Sequence, residues 1–103
     1  MVHRLVVSYG QPADPEAFDS YYRATHTPLA LKQPGLVRLT IGRPVSLDAA
    51  QPAPYLVAEL DFDSEQAMAE SMSSPEGRAA GADLANFASG GASIMHFDVQ
   101  TLV

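Results

Sequence analysis

The chain has 103 residues, no cysteine, and 12 acidic against 6 Lys and Arg residues, for a net charge of -6. That composition excludes disulfides, thiol nucleophiles and thiolate metal sites, and the scattered basic residues argue against a nucleic-acid partner. With 47% hydrophobic and 17% charged residues, the chain reads as one globular domain over residues 1–103, cytoplasmic by default, without a signal peptide or an apolar run that could span a membrane.

His3 to Tyr9 form a β-rich run, with Leu5, Val7 and Tyr9 on one side and Arg4, Val6 and Ser8 on the other. Gly10-Gln11-Pro12 breaks it. A helix should follow from about Pro15 to about Thr25, with Asp14 as cap and Pro15 at the first position. Phe18, Tyr22 and His26 fall at four-residue steps and share one face, flanked by Tyr21 and Thr25. Pro28 disfavours helix at Thr27, so the spacing predicts an end near His26.

Gln33-Pro34-Gly35 reads as a turn and Leu36 to Val45 as a second strand. Ser46 to Pro54 is a loop, and Tyr55 to Phe62 a third strand, with Leu56, Ala58, Leu60 and Phe62 on one face. Asp63, with Gln66 three residues on, has the spacing of a helix start; this helix should end around Met72. Ser74-Pro75-Glu76 begins another, with Ala80, Leu84, Phe87 and Ala88 as its apolar face. Ser89-Gly90-Gly91 ends it, and Ile94 to Val99 is the last strand.

The order β-α-β-β-α-α-β is that of an α+β, ferredoxin-like fold: four antiparallel strands with helices on one face. Apolar residues on both faces of the first two strands predict that the open face pairs with a second copy, sheet against sheet.

The chain resembles the EthD family of the dimeric α/β-barrel superfamily. The resemblance is carried by Phe18-Asp19-Ser20-Tyr21-Tyr22-Arg23-Ala24-Thr25-His26-Thr27-Pro28-Leu29-Ala30, by Pro34-Gly35-Leu36, and by Ser74-Pro75-Glu76-Gly77 with Ala82-Asp83-Leu84-Ala85-Asn86-Phe87-Ala88. It implies a homodimer whose two sheets form a barrel, with a cleft in each subunit between the sheet and its own helices. Members accompany the degradation of ethers and other small organics or occur in polyketide pathways. Relatives on the fold include polyketide cyclases, cofactor-independent monooxygenases, isomerases and haem-degrading enzymes.

His26 is the first candidate for chemistry, as a proton acceptor at the mouth of the cleft; the alternative is an imidazole that bonds the last carbonyls of its helix. Tyr22 is the second catalytic candidate. Phe18, Tyr21, Thr25, His3, Leu5 and Val7 are candidates for substrate contact, although His3, near the terminus, also reads as merely exposed. Some cyclases of the superfamily carry a histidine just after the proline that starts the late helix; Glu76 and Gly77 stand there here. His96 reads as a lone strand histidine. Glu59, Asp61 and Asp63 read as solvated. Asp83 is expected to close the helix contact or to pair with Arg23 or His26, and Met68 and Met72 to fill core or cleft. No metal-ligand spacing or cofactor motif is present. The function expected is cofactor-independent acid–base chemistry on a small, largely apolar or polyketide-like compound. The alternatives are a non-catalytic accessory protein of an oxygenase system or, third, haem handling.

Overall fold

In the computed structural model, which describes residues 1–103, strand β1 (His3–Tyr9) turns His3, Leu5, Val7 and Tyr9 to a buried face. β3 (Leu56–Phe62) and β4 (Ala92–Asp98) flank it, both antiparallel, and β2 (Arg38–Gly42) pairs antiparallel with the outer side of β3. The sheet order is β2-β3-β1-β4, which places the first strand in the centre and gives the ferredoxin-like α+β topology. The molecule is 36 × 36 × 17 Å, thin because one sheet carries one layer of helices and its other face has no cover.

The core lies between the sheet and that helical layer. Leu5, Val7, Tyr9, Leu56, Leu60 and Phe62 from the strands meet Phe18, Tyr22, Met68 and Phe87 from the helices. The open face is mixed. Val6 and Val57 are half-buried and Met95 and Phe97 exposed, beside an Arg4–Asp61 ion pair. Asp61, expected to be solvated, is buried because Arg4 Nε donates to it at 2.7 Å, with a second bond from the other guanidinium nitrogen at 3.1 Å.

The first helix does not end at His26. α1 (Pro15–Tyr21) starts as expected, with Asp14 accepting from the Ala17 amide, but it runs through a π-helical turn over Tyr22–His26 into α2 (Thr27–Ala30). Pro28 has no N–H to donate and its ring crowds the carbonyl four residues back. The wider turn, in which the Thr27 amide bonds the Tyr22 carbonyl, lets the chain pass the proline without stopping. Its histidine is therefore mid-helix, and the expectation of an imidazole bonding the last carbonyls is overturned.

α3 (Glu65–Ser73) is capped by Ser64, not Asp63, and α4 (Pro75–Phe87) by Ser74. A serine hydroxyl next to the first helical residue reaches the third amide; Asp63 stands one residue too early. β2 is five residues, shorter than Leu36 to Val45, because it is an edge with one partner strand. β3 begins at Leu56 rather than Tyr55, and β4 starts at Ala92, two residues earlier than expected.

Candidate functional site

Phe18, Tyr22 and His26 are all buried on one helix face, as their spacing implies. The Phe18 and Tyr22 rings are nearly parallel with centroids 5.9 Å apart, and the His26 ring lies 4.7 Å from that of Phe87 on α4. The π turn keeps Tyr22 and His26 on the core side while the path of the chain shifts; such turns recur at functional sites.

Asp83 of α4 ties this face down. Its Oδ2 accepts from Nδ1–H of His26 at 2.9 Å, and its Oδ1 accepts from the Tyr21 hydroxyl at 2.5 Å and from the Asn86 amide at 2.9 Å. Burial pushes the Asp83 carboxyl up, but the Tyr21, Asn86 and His26 bonds outweigh it and hold it below the ordinary carboxylate value. The Tyr21 hydroxyl is raised in turn, first by its bond to Asp83. Arg23, the other partner considered for Asp83, is exposed and takes no part.

An ionised carboxylate can only accept, so Nδ1 of His26 carries a proton, and whenever the ring is neutral Nε2 is the acceptor. No protein group bonds Nε2, and the residue lines a narrow cleft with about 50 Å³ of accessible space. Leu5, Val7, Leu39, Ala58, Leu60 and Ile94 form its floor; Tyr9, Tyr22, Met72, Ala80 and Leu84 are among its walls. The hydroxyls of Tyr9 and Tyr22 make no hydrogen bond to protein, whereas the single fully enclosed side-chain polar atom without a partner is Oγ of Ser71. Burial pushes the Tyr22 phenol up to about 12 and raises that of Tyr9 further still. Three residues that line the apolar cleft thus carry polar atoms with no protein partner: the imidazole Nε2 of His26 and the two phenols.

The cleft contains His26, Tyr22, Leu5 and Val7 from the residues singled out in the sequence. Phe18 is core, beneath Tyr22. Tyr21 faces away from the cleft and acts on Asp83. Thr25 is exposed and does not line the cleft. His3 is not exposed: it is enclosed at one end of β1 by Asp98 and His96. Tyr9 went unremarked as a site residue. Its alternation with Leu5 and Val7 carried the signal, because the same face floors the cleft. No group of three or more His, Cys, Asp or Glu side chains is placed to hold a metal ion.

Residues 10–91 match the model of the EthD domain. That span includes the helix face, the π turn and Asp83. The chain belongs to the EthD family. A relative from Rhodococcus erythropolis, an uncharacterized 11.0 kDa protein of the thcB-thcC intergenic region, is 40% identical over 99% of both chains. The crystal structure of an ethyl tert-butyl ether D (EthD) family protein from Bacillus halodurans matches with a TM-score of 0.89 and 33% identity, over 97% of this chain and 100% of that one. A dimeric ferredoxin-like protein of unknown function from Thermobifida fusca matches at 0.71, with 18% identity over 96% and 92%. SnoaB, a cofactor-independent oxygenase from Streptomyces nogalater, matches at 0.63, with 22% identity over 98% and 95%. At such identities these last two share the fold alone.

Proposed function

We propose that this EthD chain acts as a single domain over residues 1–103, in a homodimer, and performs acid–base chemistry on a small, largely apolar ligand without a metal or organic cofactor. The observation that carries the reading is that His26, with Nε2 unpaired, lines a largely apolar cleft together with Tyr9 and Tyr22, whose hydroxyls are also unpaired. A ligand carbonyl would accept from a phenol. His26 Nε2 would take a proton from carbon or oxygen, the electron pair would move to the carbonyl oxygen, and the proton would return at another position. Asp83 would stabilise the imidazolium formed on the way. SnoaB, an oxygenase that needs no cofactor on the same fold, makes this kind of chemistry a natural comparison.

The dimer reading is supported by Met95 and Phe97 on the open sheet face, 59% and 47% exposed, and by the dimeric Thermobifida relative. Light scattering on the eluting peak should give twice the chain mass.

A second reading is a non-catalytic carrier. It is favoured by the three donors on Asp83, which by themselves explain why His26 is buried: they latch the first helix to α4. The two readings separate on the ligand that co-purifies, identified by native mass spectrometry. Turnover of that compound by the wild type, lost in His26→Ala and in His26→Gln, supports catalysis. Tight binding with no turnover, kept in His26→Gln, supports the carrier and overturns the first reading.

A further inference from the structure

His3 is 2% exposed and belongs to no part of the His26 site. Both of its ring nitrogens are engaged. Nδ1 lies 2.7 Å from Oδ1 of Asp98, and Nε2 lies 2.9 Å from Nδ1 of His96. The sheet register explains the cluster. His3 pairs with Asp98 and Leu5 with His96, so all four side chains share the helix side of β1 and β4; neighbours on adjacent strands of one face are within reach of each other. Ile94, the next residue on that face of β4, floors the cleft, so His96 stands at the edge of the same floor.

The protons in such a chain are not independent. With Asp98 as a carboxylate, His3 must donate through Nδ1. The neutral His3 ring then accepts at Nε2, so His96 must donate through Nδ1. That leaves Nε2 of His96, on an exposed strand, with a free lone pair. We infer that Asp98, His3 and His96 form a hydrogen-bond relay that sets His96 Nε2 as a second proton acceptor at the β4 edge of the cleft, serving a phenol or a 1,3-dicarbonyl compound. These are the acids that a neutral imidazole can deprotonate and that an apolar, aromatic-walled cleft suits. The ligand O–H or C–H bond breaks, an N–H bond forms at His96 Nε2, and the electron pair stays on the ligand as phenolate or enolate; no oxidant or co-reactant is consumed. His3 is a positioning residue, and Asp98 stabilises the resulting charge through it.

This inference rests on the cleft binding small molecules, and the test separates the two. Asp98 is the residue to change, because its side chain is 54% exposed on an edge strand and a leucine, similar in shape but without a polar atom, fits without repacking. Leucine removes the acceptor that fixes the proton on Nδ1 of His3, so that ring donates through Nε2 to Nδ1 of His96, both histidines carry the proton on Nε2, and the outward atom of His96 becomes a donor. Long-range proton–nitrogen spectra of histidine-labelled protein, near neutral pH, read the tautomers directly. The expected result is Nδ1–H for His3 and His96 in the wild type and Nε2–H for both in Asp98→Leu. Added 4-nitrophenol should shift the His96 Nε2 signal in the wild type and in His26→Gln, and the shift should be lost in Asp98→Leu.

A wild-type His3 protonated at Nε2, or a His96 tautomer unchanged by Asp98→Leu, overturns the relay. Correct tautomers with a His96 that ignores the phenol while His26 responds overturn its role as base. A responsive His96 beside a silent His26 overturns the His26 reading and leaves the relay standing. A phenol that moves neither ring overturns both.

Discussion

Nδ1 of His26 and Oδ2 of Asp83 meet at 2.9 Å across 57 residues of sequence, with their side chains 7% and 6% exposed. The contact joins the π turn to α4 and sets which nitrogen of His26 is left without a protein partner. The same bond is therefore structural and chemical, and substitutions at its two ends should have different consequences.

Removal of the carboxylate leaves three donors, from His26, Tyr21 and Asn86, without their acceptor. Asp83→Ala should lower stability by about 3 kcal/mol, since a broken buried pair leaves uncompensated polar groups. Asp83→Asn keeps the shape and should cost less, but it changes the tautomer of His26. Urea unfolding midpoints of the two variants check the order.

Two glycines on α4 line the cleft and should respond in opposite directions. A Cβ at Gly77 would overlap the Ser71 carbonyl and the Met72 backbone, where α3 and α4 touch. Gly77→Ala should destabilise by about 1–3 kcal/mol through forced backbone movement. A Cβ at Gly81 meets nothing within 4 Å, so Gly81→Ala should stabilise by about 0.5–1 kcal/mol through helix propensity alone. Thermal melts of the pair decide it. Equal effects would contradict the close approach at Gly77.

All four tyrosines are raised above the ordinary value of 10.0, Tyr22 to about 12. The folded chain thus holds these protons more tightly than the unfolded one. The stability involved is complete below pH 10 and is lost as pH rises from there through the folded values. Tyrosinate absorbance from Tyr9 and Tyr22 should appear only together with loss of the circular dichroism signal. Four phenolates forming near pH 10 with the fold intact would show that the cleft walls are wetter than this packing allows.

At the acid end the sign reverses. The hydrogen bond from Arg4 holds Asp61 below the ordinary value of 3.8, and Asp83 is also depressed, its donors outweighing its burial. Each contributes stability that is present above that value and lost as pH falls below it toward the folded pKa. Asp61→Asn should flatten the fall in unfolding free energy below pH 3.8 relative to wild type. An unchanged slope would mean that the Arg4 pair contributes nothing.

Elements that depend on neighbours in sequence were legible. The stripe of Phe18, Tyr22 and His26 follows from four-residue spacing, and the buried face of β1 from alternation. Pro28 misled because a proline rule describes an isolated helix, and burial of Tyr22 and His26 against Phe87 favours continuing past it. The exposure expected of His3 failed for another reason, since it is buried against His96, which a structural bond satisfies. Their partnership crosses 93 residues, and no local pattern marks a histidine that will be paired.

What the chain determines alone is the order of its elements, the apolar face of each, and the family to which those faces and turns belong, since propensity and periodicity act within a few residues. What only the tertiary structure decided is which polar groups meet. Antiparallel pairing of β1 with β4 brought His3 to Asp98 and His96, and the packing of α4 brought Asp83 to His26. Hydrogen bonds act over about 3 Å, and only the folded packing sets distances on that scale between residues remote in sequence.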